Sequence, residues 1–486
     1  MQTDMTAGKP MKMVLGFTIP VFLGNVFQQL YSMADAVIVG KFVGTGGLAA
    51  VGATGTINFL IIGFVLGITA GFAVLTSQKF GAGRMNEMRK TVGNAAILSA
   101  VITIVLTAVS MLGMHWLLVF MNTPEDIFDG AYGYIMIICG GIFTQVLYNL
   151  VASILRALGN SRTPLYFLIL AAGLNIVLDL VFIIVFHFGA PGAAWATVIS
   201  QGVSGVLCLI YIRKCVPELR MEREDWRFDP GIAGKQIRVG IPMGLQYSIT
   251  AIGTMMVQSS LNMLGSGAVA AFTAGSKIDN VFTQAFVALG TTMSTYNAQN
   301  IGARQLERVR KGFRSADVIG CIYAVAVGFI LFFAGKYFAY LFISDNAETV
   351  IPMVDIYLQC EGMFMIPLYV VNCYRNGFQG MGYGLLPMLS GVAELIGRGV
   401  MAVVAAHEKS YRMACMASPF AWIVATALLF VLLFLCNEGY EEKTVPVSIR
   451  YFYQHLLQAS YPLDSASDFE ICLALSGFIL PQLGIL

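Results

Sequence analysis

Ala95-Ala96-Ile97-Leu98-Ser99-Ala100-Val101-Ile102-Thr103-Ile104-Val105-Leu106-Thr107-Ala108-Val109-Ser110-Met111-Leu112-Gly113-Met114 contains no charged side chain. A helix rises about 1.5 Å per residue, so a run of this length crosses a hydrocarbon core about 30 Å thick. Val318–Gly335 and Met413–Cys436 are also free of charge. Over 486 residues the chain is 57% hydrophobic and 12% charged, against about 25% charged in a soluble domain. Mean hydropathy is +0.75. In lipid each backbone polar group must be bonded within the protein, and helices satisfy this segment by segment. The composition therefore predicts an all-α integral membrane protein.

Twelve spans are expected, at 12–40, 48–79, 92–120, 128–155, 164–188, 192–214, 237–262, 277–300, 315–343, 350–378, 385–406 and 413–436. Lys and Arg prefer cytoplasmic loops. With the N-terminus inside, inward loops hold 21 basic residues and outward loops four; Arg375 is counted among the inward ones. Both ends of the bundle are thereby predicted in the cytoplasm. Pairs recur at a spacing near 222: Ile19-Pro20 with Ile241-Pro242, Gln78 with Gln299, Gly81-Ala82 with Gly302-Ala303, Arg89-Lys90 with Arg310-Lys311, Asn149 with Asn372, and Pro164 with Pro387. Six spans is an even number, so the halves are parallel repeats related by an axis along the membrane normal. The expected division is 1–214 for one six-helix bundle, 215–236 for a charged linker, 237–436 for the second bundle and 437–486 for a tail. The tail is acidic (Glu438, Glu441, Glu442) and then apolar from Ile471. That last run is short for a crossing and carries no functional prediction.

Two acids fall inside first-half spans: Asp35, in Ala34-Asp35-Ala36-Val37-Ile38-Val39-Gly40, and Asp179, one turn after Asn175. A carboxylate at mid-membrane costs roughly 2.5–3.5 kcal/mol on insertion scales and usually marks an ion or proton path. Gln28 and Tyr31 share a helical face with Asp35; Gln145, Asn149 and Ser153 form a stripe in the fourth span; Thr197, Gln201 and Ser204 do so in the sixth. A hydrated first-half cavity is expected. Burial disfavours the charged form of an acid, and two neighbouring acids cannot ionise independently. Proton exchange or sodium coordination both suit such a pair. At the repeat spacing Asp35 corresponds to Val257 and Asp179 to Ala402. The architecture accepts apolar residues at both places, so the acids serve a task of the first half. Pro20 and Pro242 interrupt the first span of each half, as static kinks or as moving hinges. In the second half Glu361 is the alternative coupling residue. Glu394 and Arg398, at i and i+4, are expected to satisfy one another. Lys277 and Asp279 are read as surface residues at the start of the eighth span.

Nine cysteines are scattered singly, which reads as small apolar residues. Four histidines have no metal spacing, and there is no phosphate-binding loop for ATP, nucleophile elbow or HExxH. An enzyme, a resident metal or cofactor and a nucleic-acid partner are not expected.

Taken together, Ala34–Gly40, Gln78 with Gly81-Ala82-Gly83, Arg156-Ala157-Leu158-Gly159-Asn160 with Pro164, Asn175 with Asp179, Gln299-Asn300-Ile301-Gly302-Ala303 and Ala417-Ser418-Pro419-Phe420-Ala421-Trp422 resemble the multidrug and toxic compound extrusion (MATE) transporters over about residues 10–436. The resemblance implies two six-helix bundles around a V-shaped cleft and antiport of organic, often cationic, compounds against H⁺ or Na⁺. In the DinF-like branch the cation site maps onto Asp35, Asp179, Asn175 and Thr197, with Asn149 as a fifth member. The NorM-like branch also uses acids of the seventh and tenth spans; here Val239–Asn262 contains none. The expectation is a monomeric antiporter of the bacterial plasma membrane, with a small organic substrate and the bilayer as its partners. The alternative is a flippase for lipid-linked oligosaccharide, or another specific exporter, of the same superfamily.

Overall fold

The computed structural model describes residues 3–121, 123–340 and 347–441. Among these, the only regular structure is helical. The first half holds α1 (Pro10–Phe42), α2 (Thr45–Gly81), α3 (Met85–Phe120), α4 (Glu125–Gly140), α5 (Ile142–Ala157), α6 (Arg162–Leu180, continued by a π turn to Val185) and α7 (Ala190–Cys215). The second holds α8 (Pro230–Leu264), α9 (Ser266–Gly302), α10 (Leu306–Ala339), α11 (Ala347–Met363), α12 (Met365–Gly380), α13 (Leu385–Glu408), α14 (Tyr411–Cys415) and α15 (Ala417–Glu441).

Eight spans are long and apolar enough to cross a membrane. Among the described residues the α4/α5 and α11/α12 pairs are each long and apolar enough when taken together as one span, bent by 46° and 53°. The expected fourth and tenth spans are therefore broken. Helices α8 and α9, of 35 and 37 residues, are long enough but more polar, and complete the twelve. Expectations for the tail beyond 441 lie outside the described residues.

The repeat is visible in hydrogen bonds. Ala82, Gly83 and Arg84 N–H donate to Gln78, Phe80 and Lys79 carbonyls; Ala303, Arg304 and Gln305 donate to Gln299, Ile301 and Asn300. These are the same three bonds 221 residues later. Gly159 and Asn160 donate to Arg156 and Leu155, as Gly382 and Tyr383 donate to Gln379 and Phe378, 223 later. Left-handed backbone recurs in step at Gly44 and Gly265, Gly83 and Arg304, Gly159 and Gly382, and His187 and Lys409. Gly159 explains its motif. Its φ of 80° ends α5, a Cβ there would strike the Thr3 backbone, and Asn160 Oδ1 then accepts from Thr163 N–H at 3.1 Å to start α6.

Contacts divide the chain into two units. The first holds Met1–Asp4 and Ile19–Gly244; the second holds Met5–Thr18 and the chain from Leu245. The division thus falls inside α1 and α8, whereas the sequence suggested the 215–236 linker. Both helices run unbroken through Pro20 and Pro242. Residues 230–236 already belong to α8. The rest of the linker forms short turns held on α3: the Asp225 carboxylate lies 3.3 Å from Arg89 Nε, and Asn94 Oδ1 accepts from Asp229 N–H at 2.9 Å. The eighth span begins at Ser266, eleven residues before the expected start. Its N-terminus is set by Gly265, with φ near 100°.

In the second unit close packing is built on glycines. A Cβ at Gly380 would meet the Ser294 carbonyl, and one at Gly320 the Tyr369 ring. That ring is pinned, because the Tyr369 hydroxyl donates to Asp317 Oδ1 at 2.6 Å. Forcing volume into such a contact costs about 1–3 kcal/mol. Gly380→Val and Gly320→Val are expected to lower the melting temperature of the detergent-solubilised protein. Melting unchanged in both would contradict the packing described.

Candidate functional site

Asp35 and Asp179 come together through helix register. Gly24 of α1 lies against Leu165 and Leu168 of α6, where an added Cβ would sit 3.6–3.7 Å from their methyl groups. Eleven residues beyond Gly24 is Asp35, and eleven beyond Leu168 is Asp179. Eleven residues are about three turns, which returns both helices to the same face. The two carboxyls are near neighbours.

Asp179 is 0% exposed and Asn175 1%. Both Asp179 oxygens, both polar atoms of the Asn175 amide and Asp35 Oδ1 are buried without a hydrogen-bond partner. Among the described residues neither acid forms an ion pair. Native proteins rarely leave buried polar atoms unmatched, and an uncompensated buried charge costs several kcal/mol. A proton shared by the carboxyls, or a small cation on their oxygens and Asn175 Oδ1, would lower that cost.

The surrounding residues are polar on one side. Gln201 Nε2 donates to the Tyr31 hydroxyl at 3.4 Å; Gln28 also reaches Tyr31, which neighbours Asp35. Gln201 Oε1 has no partner. Thr197 is half-buried on α7 and accepts the Ser200 hydroxyl on its carbonyl at 3.0 Å. The fourth-span stripe is committed within its own helix: Asn149 donates to the Gln145 carbonyl at 2.8 Å, and Ser153 accepts from Arg156 at 3.0 Å. The structure thus brings Asp35, Asp179, Tyr31, Gln28 and Gln201 together, with Asn175 one turn from Asp179. It gives Gln145, Asn149 and Ser153 local partners.

Tyr134 of α4, 9% exposed, neighbours Asp35, Asp179 and Tyr31 and was not anticipated. The signal was present, because Tyr357 stands 223 residues later and neighbours Glu361 and Asp279. The register of α1 and α6 also recurs: Gly391 of α13 lies on Gln246 of α8, the equivalents of Leu168 and Gly24. Eleven residues on stand Ala402 and Val257. The second unit repeats the approach of the helices without the acids.

Its polar residues lie elsewhere. Glu361 is 1% exposed and Asp279 7%. Both Glu361 oxygens and Asp279 Oδ1 lack partners. Asp279 is therefore not a surface residue: with α9 starting at Ser266 it lies well inside the helix. Glu394 pairs with Arg398 at 3.3 Å as expected, and also with Arg375 at 2.6 Å. Arg375 is thus a partly buried member of α12, not a loop cation. Nη1 of Arg398 and Nε of Arg375 have no acceptor. No group of three or more His, Cys, Asp or Glu arranged for a metal occurs among the described residues.

A family model described as MatE matches residues 20–181 and 242–404, one segment in each half. A probable multidrug resistance protein of Bacillus subtilis, YpnP, is 31% identical over 79% of this chain and 86% of its own length. A protein of Shewanella oneidensis named FAD transporter is 24% identical over 62% of this chain and 67% of its own. An outward-facing multidrug resistance MATE family transporter of the MOP superfamily superposes with a TM-score of 0.84 at 23% identity, covering 90% of this chain and 98% of that one. The repeat, the twelve-span helical fold and these matches lead to one conclusion: this chain belongs to the MatE family and is a membrane transporter, not an enzyme.

Proposed function

We propose that the protein is a secondary active antiporter of the bacterial plasma membrane that exports organic cations in exchange for H⁺ or Na⁺. The observation that carries this reading is the neighbouring Asp35–Asp179 pair with Asn175, whose buried polar atoms have no hydrogen-bond partner among the described residues. A group that must take up an ion to become stable, and lose it to become reactive, is what coupling requires. Loading with one proton or one Na⁺ lowers the charge of the pair from two to one, and favours a state in which the first-half helices close around it. Discharge restores two charges that demand water, and so favours a hydrated cavity open to substrate. A ligand shifts such an equilibrium only by its differential affinity for the two states, and here the cost of an unpaired buried carboxylate supplies that difference. Thr197 and Asn175 add neutral oxygens suited to Na⁺. Pro20 lacks the N–H that would bond one turn back, so α1 is weakest there and serves as the hinge; Pro242 has the same role in α8. The names of the relatives, multidrug resistance proteins for the most part, agree with broad substrate export.

Efflux of a cationic dye from proteoliposomes, driven by an imposed pH or Na⁺ gradient, tests this. Asp35→Asn and Asp179→Asn should each lower gradient-driven efflux by more than about tenfold, equivalent to about 1.4 kcal/mol of coupling, while insertion and melting are retained. The gradient that drives the wild type names the ion. Gradient-driven efflux at wild-type rate in both variants would remove the first-half acids from the mechanism. Its loss in Glu361→Gln alone would move coupling to the second unit.

One observation favours a second reading, a specific exporter of anionic metabolites. Arg398 is buried and Arg375 partly so, and each has a buried N–H without an acceptor. If anions are the cargo, Arg398→Ala abolishes exchange of a phosphorylated solute and the wild type moves no cationic dye. Cation efflux untouched by Arg398→Ala leaves the arginines as packing partners of Glu394.

A further inference from the structure

The fourth span has a cavity at its bend. A groove of about 790 Å³ lies between the α4/α5 junction and α7. Gly140 and Gly141 form its floor, and Phe143, Trp195 and Val203 rise at its sides. Gly141 is where α7 comes closest: a Cβ there would strike Val198. Gly140 differs. It is exposed, and a Cβ added to it meets nothing within 4 Å. The space above Gly140 is therefore open, and the close packing of the bend does not require it.

Depth fixes what can fill it. α4 and α5 have 16 residues each, so about 24 Å of helix lies on either side of the bend. In a core about 30 Å thick the bend sits near the bilayer centre whichever way the span points. The lining is almost wholly apolar. Thr144, the hydroxyl in the wall, already donates to the Gly141 carbonyl at 2.8 Å. A water there would find too few of the two to four polar partners it needs, and a charged solute would find none. Phe143 is 57% and Trp195 46% exposed, so the groove opens sideways, where a membrane-embedded helix meets lipid.

The repeat separates this groove from the architecture. The second bend, at Phe364, is as sharp, yet Met363 and Phe364 stand where the first half has Gly140 and Gly141. A bent span thus folds with bulky residues at these positions. The first half packs Gly141 against α7 and leaves the space at Gly140 open.

We propose that this groove is a specific binding site for one acyl chain of a membrane lipid, which packs into the bend of the fourth span from the bilayer side. Two small residues at the floor admit the chain, the aromatic walls hold it, and the bend presents the site to the chain's middle and not to its headgroup.

The test uses the full chain in liposomes containing a phosphatidylcholine with a photoreactive diazirine halfway along one acyl chain, followed by mapping of the cross-linked peptides. Labelling of residues 136–147 and 195–207 is expected to saturate as the probe fraction rises. A diazirine at the headgroup should label them weakly. Gly140→Trp places a bulky ring at the groove from a position where the Cβ itself meets nothing, and should reduce labelling there to the level of the exposed α3 face around Leu112. Gly140→Ala should retain it and serves as the folding control, together with unchanged labelling of α3 in both variants. Should Gly140→Trp fail to insert, Trp195→Ala opens one wall and should weaken saturation. Labelling that rises linearly with probe and is indifferent to these substitutions would reduce the groove to ordinary lipid contact and overturn the proposal. Displacement of the probe by an exported dye but not by unlabelled lipid would overturn it too, by making the groove a cargo site.

Discussion

Hydrocarbon does not solvate a carboxylate, and much of this structure is arranged around that constraint. Most of the twelve spans answer it by carrying no charge in their middle. Where an acid is kept, the fold supplies one of two environments. Asp317 and Glu394 receive strong donors: two tyrosine hydroxyls for the first, two guanidinium groups for the second. Asp35, Asp179, Asp279 and Glu361 have polar atoms left unmatched. The satisfied acids fasten helices together, for breaking a buried pair costs more than making it gains. The unsatisfied acids wait for something that the protein does not itself provide.

The duplicated architecture shows which features the fold needs. Turn hydrogen bonds, left-handed residues, the midpoint bends and the register of α1 on α6 all recur after 221 to 223 residues. The acids do not. The first unit places its pair on α1 and α6; the second places apolar residues there and puts acids on α9 and α11. A tyrosine of the bent span, Tyr134 or Tyr357, stands beside the acids in each case. One backbone thus carries two different polar clusters, and the differences between the halves mark where function departs from folding.

The bends belong to the same division. A break in mid-span frees backbone groups that a straight helix would pair, so both bends are closed by tight local bonds, Gly141 N–H to Ile137 at 2.9 Å and Phe364 N–H to Glu361 at 3.0 Å. In the second half the bend lies within a turn of an acid, since the accepting main-chain carbonyl is that of Glu361. In the first half it is coupled to an apolar space open to the bilayer. Bending therefore has different consequences on the two sides of the repeat.

The sequence by itself determined the membrane class, the helix count, the two parallel repeats and the identity of the first-half acids. These follow from local quantities: the length of charge-free runs, the distribution of Lys and Arg, the spacing of repeated motifs and the rarity of Asp in an apolar helix. It also suggested that Asp35 and Asp179 form a pair, since both stood alone. Tertiary structure decided the rest. The breaks at Gly141 and Phe364 leave no mark in hydropathy, because an apolar run reads the same straight or bent. The burial of Asp279 depended on where α9 begins, which a single glycine sets. The recruitment of Arg375 to Glu394 joins residues 19 positions apart on different helices, beyond the reach of helical spacing. That Asn149 and Ser153 are bonded locally while Gln201 turns to Tyr31 depended on rotation of each helix about its axis. Periodicity fixes which residues share a face; only packing against neighbours fixes where that face points.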